Sequence, residues 1–333
     1  MTKPRIAVIG LGFMGARWSR TLKENESIDL AVVSDVREHV GKEFADLYGA
    51  EFVVDPLDAA SRSDIDGVVV CTPEHLHVAV AVAAIEAGTP VAIEKPIAHT
   101  VAAAEQIRDS AERAGVPVLA GHILRFEPRY AAIRTAIERG EIGEVQAVRS
   151  ERIGLVADQQ ILGGRTSVSL YYGVHEFDIA RWYAGDVESV WAARSSGVVS
   201  AAGFDVEDLY SVGLVFESGA HGTAMIGWSL PARTPGYGVA GFTVIGKTGM
   251  LQVRQGDTGY LKVLADGPAD DDVHYSPVIH GAMYGAIHIE VDHFTRVVKG
   301  EADPVCSASD GAEAVRIALA MERSADAGQA VVP

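Results

Sequence analysis

Gly10, Gly12 and Gly15 stand in G-x-G-x-x-G spacing directly after the apolar run RIAVI, and Phe13 and Met14 lead from the turn into a stretch of helical pattern. In that spacing the first glycine permits a tight turn, the second lets backbone approach a pyrophosphate, and the third lets the helix pack on the strand. The amides at the helix N-terminus then face the phosphates. Glycines alone also fit a purely structural turn. Asp35 narrows the choice: it ends the next apolar run, LAVVSDV, where a carboxylate accepts hydrogen bonds from adenosine ribose hydroxyls. An acid there repels a 2′-phosphate and so favours NAD. Arg37, two residues on, is able to pair with such a phosphate and keeps NADP open.

Glu94, Lys95 and Pro96 directly follow a buried strand pattern, at the sheet edge where open α/β folds bind ligands. A lysine desolvated beside a cationic ring would have its pKa lowered and become a usable proton acceptor or donor. The plain alternative is a strand-end lysine paired with Glu94. His75 and His77 invite a metal reading, but residues two apart on a helix point to different faces, and no cysteine or carboxylate set completes a zinc shell. No metal is expected. Cys71 and Cys306, far apart in the chain, read as core residues. Asp270, Asp271 and Asp272 read as a solvated turn, and the histidines at 274, 280, 288 and 293 as scattered surface or interface groups.

The strand with GLGFMG, Asp35, CTPEHLH over 71–77, EKP over 94–96 and GVHEFDIARW over 173–182 together resemble the family of glucose-fructose oxidoreductase and inositol dehydrogenase. The resemblance spans nearly the whole chain. It implies a Rossmann domain followed by a mixed-sheet domain whose open face mediates homodimers or homotetramers. It implies that Lys95 and Glu94 lie near a nicotinamide, that His175 is the partner acid or base, and that Thr72, Pro73 and His77 line the cofactor groove. The segment GHILRFEPRY resembles the family's link between domains, where His122 approaches the cofactor and Arg125 either meets substrate or braces the segment. Tyr171 departs from the pattern, since members of the family often carry aspartate four residues before the motif histidine. On an unbroken α-helix Tyr171 and His175 would sit one turn apart on one face, so the phenol would bind substrate or orient the imidazole. Asp178 reads as support for that helix. Arg165, in the loop GGRTS, reads equally as a substrate-binding group and as a solvated arginine. The expected activity is hydride transfer between NAD (or NADP) and a secondary hydroxyl of a sugar or cyclitol. An NADPH-dependent keto-sugar reductase and a non-catalytic sugar-sensing regulator are the alternatives.

These residues need elements to hold them. Short apolar runs at 5–9, 30–34, 67–70, 91–93 and 116–120 alternate with helical period, which predicts a parallel sheet covered on both faces. Beyond residue 122 the pattern predicts a helix over 128–139, a strand over 143–153 and a helix over 168–183. Strands over 191–199, 209–217, 222–230, 242–245 and 261–264 follow, a largely antiparallel sheet. Helical period returns over 286–298 and 309–325, with Ser309 or Asp310 as cap. The fold class is therefore α/β with an added α+β domain carrying a large open sheet. The expected boundaries are 1–121, 122–308 and a C-terminal helix, 309–333, packing back near the first domain.

Length and composition agree with this outline, because 333 residues exceed what one core usually supports. A net charge of −17 argues against nucleic acid and anionic membrane surfaces as partners. No run approaches the ~20 apolar residues of a membrane span, and a cytoplasmic location is expected. No G-x-S-x-G elbow supports covalent hydrolase chemistry.

Overall fold

The computed structural model describes residues 3–234, 238–256, 258–260, 262–264, 267–269 and 271–333. The chain divides into two compact units, residues 1–127 with 272–315 and residues 128–271 with 316–333.

In the first unit β1 (Arg5–Ile9), α1 (Phe13–Glu24), β2 (Asp29–Ser34), α2 (Glu38–Tyr48), β3 (Glu51–Val53), α3 (Pro56–Ala60), β4 (Gly67–Val70), α4 (His77–Glu86), β5 (Val91–Glu94), α5 (Val101–Ala114) and β6 (Val118–Gly121) follow in turn. The strands pair in parallel in the order β3-β2-β1-β4-β5-β6. Burial of β4, β5 and β6 along their whole length explains their uninterrupted apolar runs, because parallel strands joined by crossover helices are covered on both faces. The order reverses between β1 and β4, and the crevice outside the strand ends at such a switch point is where these folds take ligands. β3 escapes the sequence reading, being only three residues long with Glu51 exposed.

The second unit opens with α6 (Pro128–Glu138), β7 (Val145–Leu155) and α7 (Asp158–Leu162), and a π-helical turn over Ser169–Gly173 then runs into α8 (Val174–Ala184). β8 (Val187–Ser195), α9 (Val198–Ala201), β9 (Leu209–Phe216), β10 (His221–Leu230), β11 (Val239–Gly246), β12 (Met250–Arg254), β13 (Lys262–Leu264) and β14 (Gly267–Ala269) follow. The large sheet runs β12-β11-β7-β10-β9-β8, with β7 and β10 parallel and the other pairs antiparallel. Its register separates two faces. Val190, Val212, Ala224, Val148 and Val244 are buried, while the alternate positions Trp191, Met225, Arg149 and Ile245 stand exposed and Glu151 is half-buried. One strand expectation shifts, since β8 covers Val187–Ser195 and not 191–199. Gly197, at φ +142°, turns the chain into α9. The short strand β12 went unread, and Leu261 of the expected last strand lies outside the described residues.

The chain then returns to the first unit through β15 (Val278–Ile279), β16 (Ala282–Met283) and α10 (Ala286–Val298), and α11 (Ala308–Ala327) begins there. The division thus differs from the expected boundaries at 121 and 308. Residues 272–315 group with the first unit because α10 lays an apolar stripe on it. Phe294 meets the Trp18 ring edge-on with centroids 6.0 Å apart, and a Cβ at Gly67 of β4 would lie 2.7 Å from Val298. Arg17 Nε donates to Ser276 Oγ at 2.9 Å, and Asn25 Nδ2 to Asp292 at 2.8 Å. Ser307, and not Ser309 or Asp310, caps α11. Its Oγ accepts from the Asp310 amide at 3.2 Å while Asp310 accepts from the Ser307 amide at 2.9 Å, a reciprocal capping box. Asp272 is no solvated turn residue, since it accepts from the amides of His274, Tyr275 and Ser276. Asp270 lies outside the described residues. Among the described residues no helix is long and apolar enough to cross a membrane.

Candidate active site

The glycine turn fits its spacing. Gly10 sits at φ +91°, and a Cβ there would fall 2.6 Å from the backbone of Cys71 and Thr72, so β1 and β4 close on each other only because the side chain is missing. A Cβ at Gly15 would meet the Gly10 carbonyl at 1.9 Å, which fixes the third glycine as the seat of α1. Gly12 is different: its Cβ would point into space with nothing within 4 Å, so no protein contact demands a glycine there. Gly12 caps α1 with no side-chain hydrogen bond, and the first helical turn holds no acid. Unclaimed amides beside an open cradle fit the pyrophosphate of a dinucleotide. Phe13 is exposed beside this cradle, its ring under the Arg17 guanidinium at 3.5 Å.

Asp35 closes the other side of the turn. One oxygen accepts from the Leu11 amide at 2.9 Å, the other from the Arg37 amide at 2.9 Å, and the Arg37 guanidinium donates to both. Burial pushes this carboxyl up, but the Arg37 side chain and the two amides outweigh it and hold it below the usual carboxylate range. Arg37 is thus folded onto Asp35, its side chain half exposed.

Thr72 and Pro73 follow β4, and the Thr72 hydroxyl oxygen is buried without a hydrogen-bond partner among the described residues. His77 is buried, with Nε2 2.7 Å from the Thr72 carbonyl and Nδ1 3.0 Å from that of Pro96 and 3.3 Å from that of Ile97. Burial pulls its pKa down against the pull of these carbonyls. Both ring nitrogens face backbone carbonyls, so His77 fills the space between the loop after β4 and the loop after β5, donating its N–H to one of them. Lys95, at the end of β5, precedes Pro96 through a cis peptide bond. Glu94 feels the Lys95 charge, and its Oε1 accepts from Trp18 Nε1 at 3.1 Å inside the unit. His122 is buried just beyond β6. Arg125 is a brace: its side chain is 3% exposed, donates to the Val305 carbonyl at 2.7 Å and lies 3.4 Å from Asp310. A substrate role for Arg125 finds no support in these contacts.

The second unit assembles the other set. Arg152 Nε donates to Glu176 at 2.6 Å, both groups nearly buried, and this pins α8 to β7 one residue from His175. Asp178 is buried on the same helix. The expectation of one unbroken α-helix fails, because the π-helical turn over Ser169–Gly173 carries an extra residue and sets Tyr171 out of α register with His175. Single π turns recur at functional sites. Tyr171 packs against Tyr172 at 4.8 Å and Trp228 at 6.0 Å between ring centroids. Burial and the Asp158 charge push its phenol pKa up, opposed by Arg165, so Arg165 lies within electrostatic reach of Tyr171. Tyr172 donates to Asp158 at 2.7 Å. Asp158 and Tyr172 were missed in the sequence, where an acid seventeen positions before His175 carries no spacing signal.

Residues 4–122 match the family described as oxidoreductase, NAD-binding Rossmann fold, and residues 130–252 match the GFO/IDH/MocA C-terminal domain. The chain is 28% identical to myo-inositol 2-dehydrogenase of Thermotoga maritima over 98% of each chain. It is 36% identical to inositol 2-dehydrogenase 1 of Saccharopolyspora erythraea over 54% of this chain and 53% of that protein. The crystal structure of a probable dehydrogenase from Thermotoga maritima superimposes with a TM-score of 0.81 at 26% identity, covering 98% of both chains.

Gly12→Ala should leave the melting temperature within the change expected from about 0.5 kcal/mol, the range of an uncontacted surface substitution. The same variant should weaken NAD binding by roughly tenfold or more, as a methyl group displaces the pyrophosphate from the cradle. Calorimetric titration with NAD beside thermal melting reads both.

Proposed function

Because the chain belongs to the GFO/IDH/MocA oxidoreductase family, with an NAD-binding Rossmann fold as its first domain, we propose that it oxidises a secondary hydroxyl of a sugar or cyclitol, an inositol first among them. The observation that carries this reading is the meeting of three strand ends. The cradle after β1, the Thr72 loop after β4 and Lys95 after β5 share one edge of the first sheet, locked by Gly10 and His77. The inositol dehydrogenases among the relatives supply the substrate class.

NAD, when bound, supplies the hydride acceptor at its nicotinamide. The chain's own groups do the rest. Asp35, held ionised, accepts from the adenosine ribose hydroxyls once Arg37 swings aside, and the same carboxylate repels a 2′-phosphate. Lys95 and His175 carry the hydroxyl proton away, a contribution of about 10²- to 10⁴-fold for a placed acid–base group. Tyr171 and Arg165 donate to substrate oxygens. Lys95→Ala or His175→Ala should lower kcat by about 10²-fold or more while NAD affinity stays within a few fold. A panel of inositols and monosaccharides with NAD and NADP, read by absorbance of the reduced cofactor, tests this. Reduction of NADP and not of NAD by a polyol would favour the NADPH-dependent keto-sugar reductase, and no turnover of any polyol would favour a sensor.

The open face of the large sheet supports self-association. Trp191, Val215, Met225, Ile245 and Met250 are exposed there, interleaved with Arg149, Glu151 and Arg254 of both charge signs. A mixed apolar and charged patch suits a two-fold contact with a second copy. Trp191→Lys with Met225→Lys should convert a dimer or tetramer to a smaller species in sedimentation. A wild-type chain that sediments as a monomer overturns this.

A further inference from the structure

Behind Lys95 lie two buried carboxyl groups that the proposed proton path does not use. Glu94 is 8% exposed and Glu290, on α10, is 0% exposed. They differ in what satisfies them. Glu94 accepts from the Trp18 indole, and its ionised form is favoured further by the Lys95 charge and backbone amide. Both oxygens of Glu290 are buried with no hydrogen-bond partner among the described residues. Trp18 ties the two together, since its nitrogen reaches Glu94 while its ring abuts Phe294, one turn beyond Glu290 on the same helix. A carboxylate without donors in an apolar interior is too costly to keep its charge and takes up a proton instead.

We propose that Glu290 stands as a neutral carboxylic acid at working pH, leaving Glu94 as the ionised member of the pair that holds Lys95. Glu290 is then a positioning residue acting through Glu94, which rests on the reading of Lys95 given above. Burial first, and then the Glu94 charge, raise Glu290 well above the ordinary carboxyl range. Burial also raises Glu94, against the opposing effects of Trp18 and Lys95. The Cys71 thiol, close to both carboxyl groups, is pushed up first by burial and then by the Glu94 charge. The remaining charged side chains of α10, Asp292 and Arg296, occupy exposed positions.

A raised acid keeps its proton in the folded chain where the unfolded chain has released it, so its cost to stability appears above the unfolded carboxyl value, about 4.3, and grows as pH rises. Glu290→Gln lacks that cost. Its melting temperature relative to wild type should therefore climb between pH 5 and pH 9, by about 3 °C or more. A difference that stays flat overturns the neutral acid. Infrared spectra of the NAD-loaded protein at pH 8 should show a protonated carboxyl band that Glu290→Gln removes. Glu94→Gln should lower the pH at which that band titrates, and an unmoved midpoint overturns the pairing. In turnover, Glu290→Gln should move the alkaline limb of the kcat profile upward by about one pH unit, because no second charge then arises beside Glu94; an unchanged limb overturns the positioning role. The melting and infrared readouts need no substrate. If they come out as expected while no polyol is oxidised, the dehydrogenase reading fails and the neutral acid stands.

Discussion

A missing methyl group at Gly10 is the constraint on which the first unit turns. With the Cβ position 2.6 Å from the Cys71 and Thr72 backbone, the ends of β1 and β4 come closer than any side chain allows. The Gly10 amide donates to the Ser34 carbonyl at 2.8 Å and the Cys71 amide to the Ile9 carbonyl at 2.7 Å, so β2, β1 and β4 are stitched at the level of the turn. His77 extends the lock to the loop that carries Lys95. Gly121 admits β6 to the same edge, because a Cβ there would stand 3.0 Å from the Ile93 carbonyl and 3.2 Å from Glu94. The path of the backbone into the lysine follows from these close approaches.

Two kinds of buried acid then serve two ends. Asp35 gathers amides and a guanidinium, and these hydrogen bonds overcome burial and keep it charged. Glu290 gathers none among the described residues, and burial raises it. The contrast matters because the ribose hydroxyls of a dinucleotide need an acceptor, whereas a second charge behind Lys95 would compete with Glu94 for it. The same carboxyl group, differently supplied with donors, is held charged at Asp35 and, as proposed, kept neutral at Glu290.

Much of this was legible in the residues. The glycine spacing, Asp35 and the apolar runs fixed the parallel sheet, since strands covered on both faces have little freedom in composition. Two things were not legible. The membership of 272–315 in the first unit depends on Trp18 meeting Phe294, a contact across most of the chain that no local period encodes. The roles of His77 and Arg125 depend on which carbonyls surround them, and motif resemblance carries no such detail. Glu290 had left a trace, because it falls on the buried stripe of α10 with Ile287, Val291 and Phe294, where an acid is out of place by pattern alone. Asp158 had left none.

The tyrosine at 171 changes the chemistry of its position and does not merely vacate it. An aspartate there would accept hydrogen bonds, whereas the phenol, kept protonated by burial and by the charge of Asp158, donates. Whatever it meets in the proposed reaction must offer a lone pair, either a substrate oxygen or an unprotonated imidazole nitrogen. Tyr171 lies within the π turn, with its ring packed against Tyr172 and Trp228. Arg165 tempers the Asp158 charge without cancelling it, and so the phenol keeps its proton and stays a donor. In the proposed reaction a phenol that keeps its proton would leave proton transfer to Lys95 and His175 and would itself contribute orientation.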